Sequence, residues 1–416
     1  MIRTESVSER FACLIVGAGH AGAQTAMSLR RSGFTGTIGL VGDEDALPYE
    51  RPALSKEYLA GHKSFDELLL APPEFWTDHD VTLRLGRRVI AVDARYRTVT
   101  CEDGTKIGYG TLVWAAGGTP RTLDCPGHDL DGVRVLRGRA DCDALLAGLA
   151  HTERVVVIGG GYIGLEAAAV LRELGKQVTV VEAQDRVLAR VTAEPISRFY
   201  EHEHRRRGVE IRLGTGIDGL IGHDGAVTGV RLSDGSVLAA DQVIVGIGIT
   251  PEIQPLTRAG AKQTANGGGV LVDDYCRTTL PDVYCVGDCA ILAGGPGIRI
   301  ESRQNAHEQA HTAALAICGT PEPLHLLPWF WSHQYDIRLQ TVGLNLGHDT
   351  VVLRGDPANR SFSLIYLRDG VVIALDCVNA ARDYLHGRKL VAAGARIDPR
   401  RLADPHHPLM ERAAAA

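Results

Sequence analysis

Two glycine loops constrain this chain more than anything else in it. Phe11 to Gly22 reads FACLIVGAGHAG, and Arg154 to Gly164 reads RVVVIGGGYIG. In each, a short apolar run rich in β-branched residues ends in a G-x-G-x-x-G loop, Gly17, Gly19 and Gly22 in the first and Gly159, Gly161 and Gly164 in the second. An alanine-rich stretch follows. That order predicts strand, tight turn and helix. A second apolar run comes after each helix, TIGLV over Thr37–Val41 and QVTVV over Gln177–Val181. Each ends in acid: Asp43 and Glu44 in the first module, Glu182 in the second.

The spacing has a chemical reading. The first glycine permits the turn, the second lets the backbone approach a pyrophosphate, and the third lets helix pack on strand. The helix N-terminus offers free N–H groups and the positive end of its dipole to phosphates. A carboxylate about 20 residues on takes ribose hydroxyls. One such loop alone is a weak signal, but two complete modules predict two dinucleotide sites. The fold class expected is α/β, with two Rossmann-like dinucleotide-binding domains. A flavin held permanently and a nicotinamide that comes and goes fit that pair. Glu182 would accept both adenosine ribose hydroxyls and repel a 2′-phosphate, which predicts NADH. Arg186 and Arg190 follow closely and pull the other way.

Composition narrows the remaining classes. A chain of 416 residues suits two to four domains at roughly 100–200 residues each. With 44 basic and 50 acidic residues the formal charge is −6, against the cationic surface that nucleic acid or an anionic membrane needs. The first ten residues are polar, which argues against a secretory signal, and no run of about 20 apolar residues predicts a membrane span. Nine cysteines without CxxC spacing fit reduced thiols in the cytoplasm. The 16 histidines show no metal spacing, so no metal is expected. His202 and His204, two apart on an expected helix, point to different faces, and Arg205–Arg207 reads as a solvated helix end. Leu112–Ala116, Gln242–Val245 and Val283–Asp288 read as strands, Pro321–Pro328 as a linker, and Trp331 to about Leu375 as strands of a smaller α+β domain. The terminal AAAA reads as a frayed tail.

Four blocks add a resemblance: PYERPALSK from Pro48, GGGYIGLE from Gly159, YCVGDCA from Tyr284 and PWFWSHQY from Pro328. With the glycine loops and VTAEPISRFYEHEHRRRG from Val191, they resemble the NADH-dependent ferredoxin reductases that serve oxygenases, the family of putidaredoxin and rubredoxin reductases. The resemblance covers nearly the whole chain. It implies a glutathione-reductase-like fold: a discontinuous FAD domain over residues 1–118 and 248–325, an inserted NAD domain over 119–247, and a C-terminal α+β domain over 326–416 of the dimerisation or redoxin-interface type.

The resemblance also implies site residues. FAD would meet Gly17, Gly19, His20, Ala21, Gly22, Asp43, Glu44, Lys56, Val89, Ala116, Gly117, Arg137, Gly287, Asp288 and Arg303. Arg51 and Pro52 would lie by the isoalloxazine and Trp331 by its pyrimidine end. The nicotinamide nucleotide would meet Gly159, Gly161, Tyr162, Ile163, Gly164, Glu182, Arg190, Gly246 and Gly248. Glu166 would face the nicotinamide, near Lys56, and these two are the catalytic candidates. Reduced flavin carries negative charge at N1 and O2, which a lysine or a helix N-terminus near Ser302–Asn305 would stabilise.

Several residues depart from the family's pattern. WAAGG from Trp114 lacks the threonine of the usual ATG turn, His333 replaces a common aspartate, and Arg303 occupies an often apolar position. His311 and Gln340 stand where relatives carry partner-facing basic residues, although Arg338, Arg388 and Lys389 keep charge nearby. No dithiol accompanies either loop: Cys13 stands alone, and Cys285 and Cys289 read as packing residues. Electrons would leave the flavin directly, singly, for a small acidic ferredoxin of the [2Fe–2S] type, from a monomer or weak homodimer. Alternatives are a rubredoxin reductase, a peroxide-producing NADH oxidase, and a redox-sensing interaction protein resembling apoptosis-inducing factor.

Overall fold

The computed structural model describes residues 7–410, so the tail expected to fray lies outside the described residues. The chain packs as two compact units. The first takes the described residues of Met1–Ala53 with Lys63–Thr119 and Ile249–Leu326. The second takes Leu54–His62, Pro120–Gly248 and the described residues from Leu327 onward. The short piece Leu54–His62 joins the second unit although its sequence neighbours belong to the first. Its contacts explain this. Cys142 Sγ donates to Leu54 O at 3.3 Å, Tyr58 Oη donates to Asp143, and Lys56 pairs with Glu166.

In the first unit, strand Glu9–Val16 lies between Ile38–Val41 and Lys106–Trp114, parallel to both, and Val81–Arg84 extends the sheet beyond Ile38–Val41. Val283–Cys285 pairs parallel with the last residues of Lys106–Trp114, and the antiparallel strands Val89–Asp93 and Thr98–Cys101 attach to its beginning. Register places Val16 opposite both Val41 and Trp114, so the strands leave the sheet along one edge. Helices His20–Arg31 and Arg303–Ile317 pack together over it. Residues of FACLIV serve two cores: Phe11, Leu14 and Val16 enter one, Cys13 and Ile15 the other. A parallel sheet buried on both faces needs such a continuous apolar run.

The second unit holds a five-stranded parallel sheet in the order Glu210–Arg212, Gln177–Val181, Arg154–Ile158, Gln242–Val245, Val133–Arg134. It also holds a five-stranded antiparallel sheet, Trp329–Gln334, Ile337–Gly343, Val371–Val378, Ser361–Arg368 and Thr350–Asp356, on which helix Ala381–Ala392 packs. Its last strand carries a buried cation, Arg354, 5% exposed. Arg354 meets Asp383 at 3.0 Å and donates to the carbonyls of Leu402, Asp404 and His407.

The arginine run at the end of helix Glu194–Arg206 is solvated, as the sequence suggests, at Arg205 and Arg206, whose side chains are exposed, and half-buried at Arg207. Arg206 and Arg207 pair with Glu203, which is only 2% exposed, and Arg205 pairs with the equally hidden Glu201. Arg207 also reaches Asp336 at 2.6 Å and lies 4.3 Å from the Tyr335 ring centroid. Glu201 and Glu203 lie on the same helix, about one turn back, and Asp336 comes to its end through the tertiary fold. Asp336 is drawn down to about 2, first by its bond to Arg360.

A second buried acid has the opposite character. Asp376, on strand Val371–Val378, accepts hydrogen bonds from Tyr366 Oη at 2.6 Å and from Thr192 Oγ1, and so ties the loop before helix Glu194–Arg206 to the sheet. Burial raises its carboxyl from 3.8 to about 6 despite those bonds. The folded chain therefore binds a proton here that the unfolded chain has released between about pH 4 and 6. Stability from this site is greatest below pH 4, falls as pH rises to about 6 and is constant above, by about 3 kcal/mol in all. Asp376→Asn keeps an acceptor for both hydroxyls and loses the charge. The variant is expected to match the parent at pH 4 and exceed it at pH 8, measured as the difference between paired urea unfolding curves. Equal differences at both pH values contradict this account.

Candidate active site

Each glycine loop divides its glycines into two kinds. A Cβ on Gly17, at φ +110°, would lie closer than 3.0 Å to Ala115 O, and one on Gly22 closer than 3.0 Å to Gly17 O. Gly159, at φ +109°, and Gly164 stand in the same relation to Gly246 O and Gly159 O. These four are glycine because neighbouring backbone fills the space. Gly19 and Gly161 are different. Their φ values of −86° and −79° suit any residue. A Cβ on Gly161 would meet nothing within 4 Å, and one on Gly19 only Arg51 Nε at 3.7 Å. Nothing inside the protein requires glycine at either place. Both cap a helix without a side-chain hydrogen bond, and neither helix has an acid in its first turn. Open backbone donors beside reserved space fit a pyrophosphate in each loop.

Around the first loop the structure gathers several of the expected residues. Gly17 abuts Ala115 and Ala116, so Ala116 and Gly117 border the loop. Gly287, at φ +73°, would place a Cβ 3.0 Å from Ala21, and its N–H donates to Gln309 Oε1 at 2.7 Å. That contact sets Asp288, in a short 3-10 turn, beside helix His20–Arg31. His20 opens that helix, buried, 6.3 Å from the His307 ring. Arg303 opens helix Arg303–Ile317, which Ser302 caps by accepting from Asn305 N–H, and the Arg303 side chain turns to Glu50 at 2.9 Å. Val89 is buried in the core at the start of its strand.

Of the two candidate ribose acids, Asp43 is exposed and Glu44 is engaged: it accepts from Tyr49 Oη at 2.7 Å and pairs with Arg51. Arg51, followed by Pro52 in the 3-10 helix Arg51–Ser55, therefore stands by Gly19. Glu44, Tyr49 and Asp43 raise its already high pKa against the opposing effect of burial.

The second loop repeats the arrangement. Glu182 accepts backbone N–H bonds from Gly160 at 2.7 Å and Gln184 at 2.8 Å, which fixes the carboxylate and leaves lone pairs for further donors. Ile163, 46% exposed, stands in the first helical turn, and Tyr162 packs on Phe330 at 4.6 Å between ring centroids. Gly248, at φ +100°, faces Arg190, which is exposed. Arg186 is occupied with Thr192 O, Ala189 O and Ser197 Oγ.

In the same unit Lys56 Nζ meets Glu166 Oε2 at 2.6 Å, with side chains 12% and 3% exposed. Ser55 Oγ donates to Oε2 at 2.7 Å and Ser332 Oγ to Oε1 at 2.6 Å. Arg137 is half-buried, and its N–H donates to Asp141 ahead of helix Arg139–Leu149. Trp331 stacks loosely with Trp329 at 5.7 Å. Sequence reasoning missed Ser55, Tyr49, Ser332 and Gln334. The available signal was WFWSHQ, where Ser332 and Gln334 alternate inward with outward-facing aromatics. Burial, then Arg338 and Lys56, lowers the His333 imidazole.

All nine cysteines are free. Cys285 and Cys289 are fully buried, burial lifts the Cys285 thiol far above its ordinary value, and Cys289 Sγ donates to Gly117 O at 3.0 Å. Among the described residues no group of His, Cys, Asp and Glu could hold a metal ion, and no helix is long and apolar enough to cross a membrane.

Comparison with known proteins settles the relationship. Residues 11–313 match the pyridine nucleotide-disulphide oxidoreductase family, and residues 329–413 match the reductase C-terminal family. A 5,5′-dehydrodivanillate O-demethylase ferredoxin reductase subunit from Sphingobium is 55% identical over 97% of this chain and 99% of its own. The chain belongs to the ferredoxin reductases of that oxidoreductase family. Among solved structures, a ferredoxin reductase from Rhodopseudomonas palustris superposes with a TM-score of 0.92 at 39% identity, covering 95% of this chain and 98% of that one. Putidaredoxin reductase in covalent complex with putidaredoxin gives 0.92 at 38%, covering 97% and 98%. These ferredoxin reductases are flavoprotein oxidoreductases that use FAD and a pyridine nucleotide. This member keeps the two nucleotide loops of a family named for disulphides and lacks the thiol pair.

Proposed function

We propose that this reductase passes electrons from NADH through FAD to a small acidic iron–sulfur ferredoxin of the [2Fe–2S] type, which feeds an oxygenase. The observation that carries the reading is the pair of middle glycines, Gly19 and Gly161, held open by no need of the protein's own. We assign FAD to the domain of residues 1–118 and 248–325, NADH to 119–247, and the partner to 326–416. FAD would supply the step from a two-electron hydride donor to a one-electron acceptor. Gly17, Gly19, His20, Ala21 and Gly22 would hold its phosphates with Arg51. Asp43, Asp288 and the other expected flavin residues keep the roles given above. Gly159, Gly161, Ile163, Gly164, Gly246, Gly248 and Arg190 would hold the nicotinamide nucleotide, with Glu182 at its ribose. Lys56 and Glu166 would orient the nicotinamide for hydride transfer. Free thiols, most of them buried, support direct exit of electrons and a reducing cytoplasm. We take the working form as a monomer or weak homodimer.

Partner chemistry is supported by one face of the C-terminal region. Helix Ala381–Ala392 exposes Arg382, Arg388 and Lys389 around Leu385, which is 60% exposed, and the Arg388 guanidinium lies 6.0 Å from the Trp329 ring centroid. Arg338 is exposed on the neighbouring strand, in register with His333. A cationic rim around an apolar point suits an acidic protein. The test is NADH-driven reduction of a cognate [2Fe–2S] ferredoxin. It is expected to exceed the NADPH rate at least about tenfold in kcat/KM, and to fall steeply with salt as the Debye length shrinks from about 10 Å at 0.1 M to about 3 Å at 1 M. Arg388→Glu should raise KM for ferredoxin and leave ferricyanide reduction intact. Turnover of oxidised glutathione with no acceptance of ferredoxin overturns the reading.

A further inference from the structure

Glu166 is one end of a longer chain of hydrogen bonds, and every donor in it points toward the carboxylate. Ser332 Oγ donates to Glu166 Oε1 at 2.6 Å, and Gln334 Nε2 donates to Ser332 Oγ at 3.2 Å. His204 Nε2 lies 2.8 Å from Gln334 Oε1, and its Nδ1 lies 3.1 Å from Tyr335 Oη. An amide whose nitrogen is committed to Ser332 presents only an acceptor to the imidazole, so Nε2 carries the proton. Nδ1 then accepts from the Tyr335 hydroxyl. Burial keeps this imidazole neutral, at about 4. Ser332, Gln334 and His204 are 0%, 1% and 0% exposed, so water does not compete for these bonds.

Such a chain does not conduct protons, because the Gln334 amide sits in its middle and cannot hand a proton on without becoming an imidic acid. It orients instead. A buried network satisfied at every member is rigid, and a carboxylate held by Ser55, Lys56 and Ser332 together has one position.

We propose that Ser332, Gln334 and His204 are positioning residues for hydride transfer, fixing the Glu166 carboxylate and its Lys56 partner where the nicotinamide must sit. The inference rests on the reading that Glu166 faces the nicotinamide. FAD, when bound, would accept the hydride of nicotinamide C4 with both electrons of the C–H bond, so no proton has to be supplied by the relay.

The test uses the holoenzyme with three readouts: flavin reduction by rapid mixing with NADH, NAD+ affinity by calorimetry, and the His204 tautomer by 15N resonance of histidine-labelled protein. Ser332→Ala is expected to lower the reduction rate at saturating NADH at least about tenfold while NAD+ affinity stays within about threefold, the split expected when geometry rather than binding is lost. Ser332→Thr keeps the hydroxyl and should restore the rate to within about threefold. His204 should show protonated Nε2 and bare Nδ1. A parental rate in Ser332→Ala alongside a slowed Glu166→Gln overturns the relay and leaves the Glu166 reading standing. A parental rate in Glu166→Gln overturns both. A protonated Nδ1 with bare Nε2 reverses the donors and overturns the proposal. Should Ser332→Ala not fold, Gln334→Met, close in length and with no hydrogen-bond donor, takes its place: the same loss is expected, and an unchanged rate overturns the proposal.

Discussion

Gly161→Val is expected to melt within about 2 °C of the parent and to lose NAD+ affinity about a hundredfold, close to 2.7 kcal/mol. Gly159→Ala, a smaller change two residues away, is expected to destabilise the second unit by about 3 kcal/mol or more. The contrast follows from space and backbone. At Gly161 the φ of −79° is open to any residue, and no atom stands within 4 Å of the new Cβ, so the folded protein is indifferent. The added methyls occupy the place where a pyrophosphate would meet the helix N-terminus. At Gly159 the φ of +109° strains any Cβ, and Gly246 O already fills its position. Strain and overpacking then add. Calorimetry with NAD+ and hydrogen exchange along strand Arg154–Ile158 measure the two effects. Undiminished affinity in Gly161→Val would remove the support for a dinucleotide at the second loop.

Arg354→Ala is expected to cost about 3–5 kcal/mol, the range for breaking a buried ion pair from one side. The residue is 5% exposed and holds four partners. Removing it leaves Asp383 with the Ser363 hydroxyl at 3.0 Å and frees three backbone carbonyls around residues 402–407. The loss should be local first: amide exchange at Leu402 should accelerate sharply while strand Arg154–Ile158 stays protected. Equal acceleration in both places would show that Arg354 supports the whole unit.

These two sites also mark what the sequence could and could not tell. The glycine loops were legible because each turn is made within about twelve residues, and strand, loop and helix follow one another in the chain. Both modules and the α/β class came from that local order. Arg354 gave no signal, since an arginine in an edge strand reads as solvated until the tail folds back over it. The arginine run at 205–207 was legible as solvated at Arg205 and Arg206, but the ion pairs that Asp336 and Arg360 make at that helix end gave no signal, because both come from far along the chain. Glu166 and Lys56 were named from their motifs, but Ser332 and Gln334 depended on which face of Trp329–Gln334 turns inward, a matter of register with Ile337–Gly343. Arg51 was named from its motif, but its pairing with Glu44 beside Tyr49 follows no spacing rule and came only from the fold.

The burial of the thiols bears on how the protein can be studied. Seven of the nine cysteines are fully buried, and only Cys125 and Cys318 are partly open to solvent. Burial raises both of these too, so they would label slowly, but a maleimide dye would find them first. Cys318 belongs to the first unit and Cys125 to the second. The native chain thus carries one addressable fluorophore position in each unit, so the local environment of each unit can be followed without any engineered cysteine.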